Sequence, residues 1–564
     1  HHKLYLMFFK NIKFILISLL FYQNPSYSKS RSSENFDAKN LSNYFSGIIA
    51  LENKNNSYAL SFFDSSKSLI NKHDPFIEKY ITSLVLENKV SRAVNIIKGN
   101  IEKDNSKYFD AYLILILESI KNKNFELADK YLDEAFDVSE QRGLEIAILE
   151  SFKDYVYVFR NKTIKQDNRN FGNLSLINQM FQRCYLDDPR TDNFFFNVIN
   201  NNEADYSRYN FFYMSYLIEN NRIEDLNKLV NEIGYINASL LLSQAKSWIE
   251  NKNQKKINQV FSCKNHNHII GEFLFLISSL YSSQDNFEKS NFFINLSLYL
   301  NPKFIYNFSL ISENYYSIKD YKKTKKILRN FKKDDEFYYW YRIKKEAQII
   351  SKEKNVDESV KFIEAKFYHL DKSNVKFLYD LANYYRSSKR YKEAIPVYTK
   401  ILDEFDNNDE MKSDLLYRRG SSYERIKNFD KADDDLLNSL KIYPDDAYVL
   451  NYLAYSWLER EYKINEAIKM LEIAYEAESD DPYIIDSIGW AYYLINDFSK
   501  AEEFLIRAVE LMPDDPIVND HYGDVLWKLD RKIQARYFWS NVLLMNDVED
   551  EIINKINSKL IQGL

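Results

Sequence analysis

Residues 481–516 read "DPYIIDSIGWAYYLINDFSKAEEFLIRAVELMPDDP", and the run contains Gly489, one of only 10 glycines in 564 residues. A glycine inside an apolar, helix-like run costs roughly 1 kcal/mol relative to alanine, so a close contact must offset it. The sequence repeats the arrangement. Gly489 and Gly523 lie 34 residues apart, as do Ala501 and Ala535, and Pro482 and Pro516. Upstream, Ala454 and then Gly420 take the glycine's place, at steps of 35 and 34 residues. A fixed period of this size marks an array whose units pack on their neighbours.

Four units begin at Ser413, Ala447, Pro482 and Pro516. Counted from these starts, position 8 is small: Gly420, Ala454, Gly489 and Gly523. Position 20 is alanine at Ala432, Ala467, Ala501 and Ala535, the second unit carrying one inserted residue. Four residues later stands a bulky side chain: Leu436, Leu471, Leu505 and Trp539. A small residue at position 8 lets a second helix cross close to the first. Pro444 and Pro513 end second helices, because proline cannot continue them. Asp481 and Asp515 are natural N-caps, with Pro482 and Pro516 at the first helical position.

This pattern resembles the tetratricopeptide repeat family, a 34-residue helix–turn–helix. The resemblance implies an all-α fold, a right-handed superhelical solenoid of helix–turn–helix repeats. It is firm from Ser413 to Glu549. It is fainter from Gly271 to Phe405, through Ser278, Tyr281, Ser290 and Pro302 and then Ala382, Tyr385, Ala394 and Tyr398. It is faint again from Asn40 to Phe136, through Gly47, Ala59, Phe63, Ala93, Ala128 and Ala135. Gly271 falls at position 1 rather than position 8. From Ser139 to Ile257 amphipathic helices are expected without a repeat frame. The chain therefore divides into a signal segment (1–28), degenerate repeats (29–138), a divergent helical region (139–270), central repeats (271–412), well-defined repeats (413–549) and a capping helix (550–564). In that last helix, Glu551, Lys555 and Lys559 are expected to point outward.

Composition excludes several classes. With 10 glycines and 9 prolines, the chain lacks the turn residues an all-β protein needs. No Gly-rich phosphate loop and no hydrolase or zinc-protease motif occurs, so no enzyme and no cofactor is expected. Residues 447–549 carry 20 acidic and 9 basic side chains, in a chain of net charge −6. That excess repels nucleic acid. The stretch "CKNHNH" groups Cys263, His266 and His268. Without a second ligand pair it reads as a polar loop rather than a metal site. Asp433, Asp434 and Asp435 read as a solvated face.

Lys10 and Lys13 precede the apolar run Phe14–Phe21, with Ser26 and Ser28 as small residues about a cleavage point. This is the layout of a secretory signal, too short to span a bilayer. A periplasmic protein is expected; the alternative is an uncleaved anchor facing the same compartment. The only cysteines, Cys184 and Cys263, are 79 residues apart. In an extended array that separation means several repeats, so two unpaired thiols are expected.

Family resemblance implies that positions 2, 5, 9, 12 and 13 of the first helices line a concave groove. Among these positions, Tyr417, Asn451, Tyr455, Asp486, Trp490, Tyr493, Asp520, Asp524 and Trp527 form the expected partner-binding face, aromatic and acidic. Such a face suits a protein or peptide ligand carrying basic residues. The implied function is a protein-interaction scaffold of the envelope. The alternatives are a membrane-tethered subunit of an envelope or polysaccharide-export assembly, and an enzyme whose catalytic region hides in 139–257.

Overall fold

The computed structural model describes residues 38–564 apart from 103–105, 140–142, 166–168, 202–204, 371–373, 406–409 and 547. The signal segment lies outside the described residues. All regular structure among the described residues is helical, arranged as antiparallel pairs. The chain forms two compact units by contact. One comprises the residues up to Glu232 together with Gln244–Phe331; the other comprises Ile233–Ser243 with Lys332–Leu564.

The first unit is built from helix pairs that keep the repeat's contacts. In the pair Ala38–Glu52 and Asn56–Ser65, a Cβ on Gly47 would lie 2.6 Å from Phe63. In the pair His266–Ser283 and Phe287–Leu300, Ser278 Oγ donates to the Ser290 carbonyl at 2.8 Å. The Gly271 Cβ position has only ordinary contacts at 3.5 Å, as expected away from the crossing. The described residues of 143–232 and 244–260 form helices without the repeat's spacing, packed around aromatic side chains.

This unit folds back on itself. Lys289 pairs with Asp110 at 2.9 Å and Lys323 with Glu87 at 3.0 Å. Sequence separation is therefore a poor guide to distance here, and the expectation of two free thiols is overturned. Cys184 and Cys263 form a disulfide with their Cα atoms 5.6 Å apart. Phe181 and Phe212 both pack on Phe261, with ring centres at 5.8 and 4.6 Å, and so draw the two cysteines together.

The second unit holds the regular array. Its last nine helices are numbered here from Glu410. They are α1 (Glu410–Arg425), α2 (Phe429–Ile442), α3 (Ala447–Glu459), α4 (Ile464–Ala477), α5 (Pro482–Leu494), α6 (Phe498–Leu511), α7 (Pro516–Lys528), α8 (Lys532–Val542) and α9 (Asp550–Gln562). Odd-numbered helices from α1 to α7 are the first helices of the four units. Asp481 and Asp515 cap α5 and α7, each accepting from two backbone N–H groups behind a proline. A Cβ on Gly489 would stand 2.6 Å from Leu505 Cγ and 3.1 Å from Phe504 Cβ, so α6 crosses α5 where no side chain fits. Gly523 would press on the Trp539 indole in the same way. Ala432, Ala467, Ala501 and Ala535 are buried opposite.

The turns explain how so few glycines suffice. Lys427, Glu461, Asn496 and Asp530 recur at the same place in the four units, each with φ between 50° and 64°. Side chains other than glycine pay roughly 1–2 kcal/mol in that left-handed region, least for Asn and Asp. Packing on both sides of each turn offsets that cost.

Candidate protein-binding groove

Positions 2, 5, 9 and 12 lie on one face of a helix, because three- and four-residue steps return to the same side. On α3 that face carries Tyr448, Asn451 and Tyr455; on α5 it carries Tyr483, Asp486, Trp490 and Tyr493. The outer end is open. Tyr448 is 57% exposed and Tyr483 58% exposed, at the same place on successive first helices. Tyr417 and Tyr455 are half-buried. Tyr417 meets Tyr452 edge to face at 5.6 Å. Between Val375–Ser387, α1 and α3 lies a cleft of ≈ 230 Å³ lined by Arg386, Ser387, Tyr391, Ser421, Arg425 and Tyr452. Asn451 has a buried side-chain oxygen without a hydrogen-bond partner.

The inner end of the same face is closed. Trp490 stacks on Tyr493 at 4.6 Å and on His521 at 4.1 Å, each within 11° of parallel. His521 Nδ1 donates to the Asp486 carboxylate at 3.0 Å. Further on, Lys559 of α9 binds Asp520 and donates to Asp524 at 2.5 and 2.7 Å. Lys555 lies 3.1 Å from Asp520, and Trp539 Nε1 donates to Asp524 at 3.0 Å. Trp527 packs against Trp539 at 5.3 Å and against Gly563 just beyond α9. Thus α9 meets the position-5 aspartate of α7 as α7 meets that of α5. It stands where a further first helix would stand.

Several expectations change as a result. Lys559 does not point outward; it is buried between two carboxylates, while Glu551 and Lys555 are on the outer side. The three aspartates of the expected acidic face are spent on His521, Lys555 and Lys559, which removes the charge that suggested a basic ligand. Asp435 is not solvated: Arg419 grips it with two hydrogen bonds of 2.7 Å, and Asp433 pairs with Arg460 at 2.8 Å. His266 and His268 open a helix rather than sit in a loop, and Cys263 is held in the disulfide. His268 Nδ1 accepts from the Ser262 N–H at 3.0 Å. Among the described residues no cluster of His, Cys, Asp and Glu has the geometry to hold a metal ion.

The electrostatics follow from burial and partners. Burial alone would lower His521, but the Asp486 carboxylate, then Asp520 and Asp524, lift it above the ordinary imidazole value. Burial alone would raise Asp520, but Lys559 and then Lys555 hold it below the usual aspartate value. Asp524 is pushed up by burial and by Asp520 beside it. Tyr493 is raised by burial and by these two aspartates.

Residues 375–407 and 414–446 each match a family model described as tetratricopeptide repeat. These two segments are similar to tetratricopeptide repeats. The chain is 30% identical over 147 residues to TPR repeat-containing protein PA4667 of Pseudomonas aeruginosa, a match covering 23% of this chain and 25% of that protein. It is 22% identical over 134 residues to anaphase-promoting complex subunit 3 of Schizosaccharomyces pombe, covering 24% of this chain and 18% of that one. The chain thus spans a quarter or less of the length of these two relatives. A solved thermophilic TPR protein of Thermus thermophilus is 17% identical with a TM-score of 0.30, covering 33% of this chain and 100% of its own. Tetratricopeptide repeats generally mediate protein–protein interaction. In the array described here, sequence reasoning missed His521 and Lys559. His521 binds the position-5 aspartate of the preceding unit, Asp486, a 35-residue offset that could have found it.

Proposed function

We propose that the chain is a non-enzymatic protein-interaction scaffold of the cell envelope, working in an oxidising compartment outside the cytoplasm. The observation that carries this reading is the exposed pair Tyr448 and Tyr483, repeated at one place on neighbouring first helices beside the half-buried Tyr417 and Tyr455. Tyrosines presented in this way are interface anchors, apolar in body and hydrogen-bonding at the tip. The partner lies along the open end of the groove and stops where α9 closes it. The aspartates that suggested a basic ligand are engaged by His521, Lys555 and Lys559, so a neutral peptide suits the groove better than a basic one.

The Cys184–Cys263 disulfide supports the compartment, since such bonds persist in secreted and periplasmic proteins and are rare in the cytosol. A periplasmic location is the reading that also fits the N-terminal signal layout. The second reading is a tether to the inner membrane through that segment. Among the described residues no helix is long and apolar enough to cross a membrane. The purely helical build of the described residues in 139–257 favours the scaffold over a concealed enzyme. The test is Tyr448→Glu with Tyr483→Glu, both changes at exposed sites. The double variant should fold as the parent does and lose the partner recovered by cross-linking in intact cells. Recovery of the same partner in equal yield would sink the groove reading.

A further inference from the structure

The first unit contains an arginine whose surroundings leave it unmatched. Arg183, on the helix Asn173–Leu186, is 7% exposed. Its guanidinium lies 3.9 Å from the centre of the Phe194 ring. Nη1 reaches the Gln179 carbonyl only at 3.4 Å, and Nε has no hydrogen-bond partner. The adjacent Asp188 is already spent: it accepts from Arg190 Nε and Nη2, both at 3.0 Å. A buried charge without a partner costs several kcal/mol, and folded proteins seldom leave one so. Burial, and then Arg190, depress the Arg183 pKa; Asp188 offsets only part of this, its hydrogen bonds going to Arg190.

Arg183 opens on a cleft of ≈ 660 Å³ whose wall also carries Lys162, Lys165, Gln179 and Arg190. The acids on that wall are Asp187 and Asp188. Asp187 is engaged by the Tyr216 hydroxyl. Lys165 lies 3.4 Å from Asp154, and Lys162 donates to the Tyr185 hydroxyl, a neutral partner. The balance on the wall is positive, with Arg183 at its base. A second void, beside Gln182, measures ≈ 10 Å³. That is room for about one water, which accounts for the unpartnered Gln182 amide without a ligand. The Arg183 cleft is of the size that holds small organic molecules, roughly 300–1,000 Å³. The disulfide at Cys184 pins the helix at the next residue, and the Phe194 ring supports the guanidinium.

We propose that this cleft binds a small oxyanion ligand, an organic carboxylate or a phosphoester. Arg183 presents its terminal guanidinium nitrogens as a fork to two oxygens, Nε being enclosed by protein. Phe194 supports the flat side of the guanidinium, and Lys162 supplies charge at the rim. A planar fork matches carboxylate and phosphate in a way lysine cannot.

The test is isothermal titration of the full chain with inorganic phosphate and, separately, with succinate. At least one probe should give a saturable one-site isotherm; which one does so separates the phosphate source from the carboxylate source. Arg183→Gln should weaken that binding at least about tenfold, and Arg183→Lys should fall between, keeping the charge but losing the fork. Absence of saturation up to about 10 mM of both probes, a range that covers millimolar affinity, overturns the proposal. So does equal affinity in the parent and Arg183→Gln. If Arg183→Gln fails to fold, Lys162→Gln decides, since Lys162 is exposed. It should weaken binding about threefold at low salt, where rim charges are least screened, and an unchanged isotherm refutes the site.

Discussion

Lys559→Met removes the charge that closes the array while keeping most of the side chain's apolar stem. Lys559 is 5% exposed and faces Asp520 and Asp524, at 2% and 3%. Removing one member of a buried ion pair costs about 3–5 kcal/mol. Three features place this case at the low end. Lys555 remains beside Asp520, Trp539 still donates to Asp524, and Asp524, already raised in pKa, can take up a proton. A loss of about 3 kcal/mol is about a hundredfold or slightly more in the opening equilibrium, at 1.36 kcal/mol per factor of ten. Stability in repeat arrays is local, so the loss falls on α9 and its contact with α7. Hydrogen exchange read by mass spectrometry should show residues 550–562 exchanging about a hundredfold faster, while α3 keeps its protection. Adding Asp524→Asn should recover part of the loss, a coupling that distant sites do not show. A change of less than about threefold in the single variant, worth about 0.6 kcal/mol, would refute the claim that Lys559 holds the helix.

Other outcomes follow from the same contacts. Gly489→Ala should destabilise the second unit by about 1–2 kcal/mol in urea titration, because overpacking against Leu505 exceeds the helix-propensity gain; Gly271→Ala, with room at 3.5 Å, should be neutral or stabilising. Reducing the Cys184–Cys263 bond should lower the stability of the first unit by about 4–5 kcal/mol, the loop entropy released for a 79-residue separation, and Cys184→Ser should match it. For His521, the folded pKa lies above the ordinary 6.5. Its stabilising contribution is therefore complete below about pH 6.5 and is lost as pH rises through the folded pKa. The protection of α7 should decline over that alkaline range in the parent and not in His521→Gln.

What the sequence disclosed, and what it did not, has a physical division. The crossing of paired helices demands a small residue at Gly489 and a bulky one at Leu505, and the chain states both every 34 residues. The same holds for the caps Asp481 and Asp515. These requirements are local, so a single unit suffices to read them. The closing network is different. Asp520 and Asp524 look like an exposed acidic face until Lys559, 35 residues beyond Asp524, is placed between them. The helical pattern of residues 550–562 fixes an amphipathic helix, but the apolar stripe alone left Lys559 among the outward charges. Only the docking of α9 on α7 turns it inward. The disulfide was illegible for a related reason: an array counted in repeats keeps Cys184 and Cys263 apart, whereas the first unit folds back and brings them together. In the groove, chemistry was legible and availability was not. Trp490 and Tyr493 are aromatic, as read, yet His521 already stacks on Trp490.

The central claim is that a protein partner occupies the open end of the groove, along Tyr448 and Tyr483. A photo-activated cross-linking residue placed at 448 or 483, and at the equally exposed Tyr537 of α8 as control, tests it in intact cells. The account predicts one discrete cross-linked protein from 448 and 483, and none from 537. The same product from all three positions, or none from 448 and 483, would contradict it.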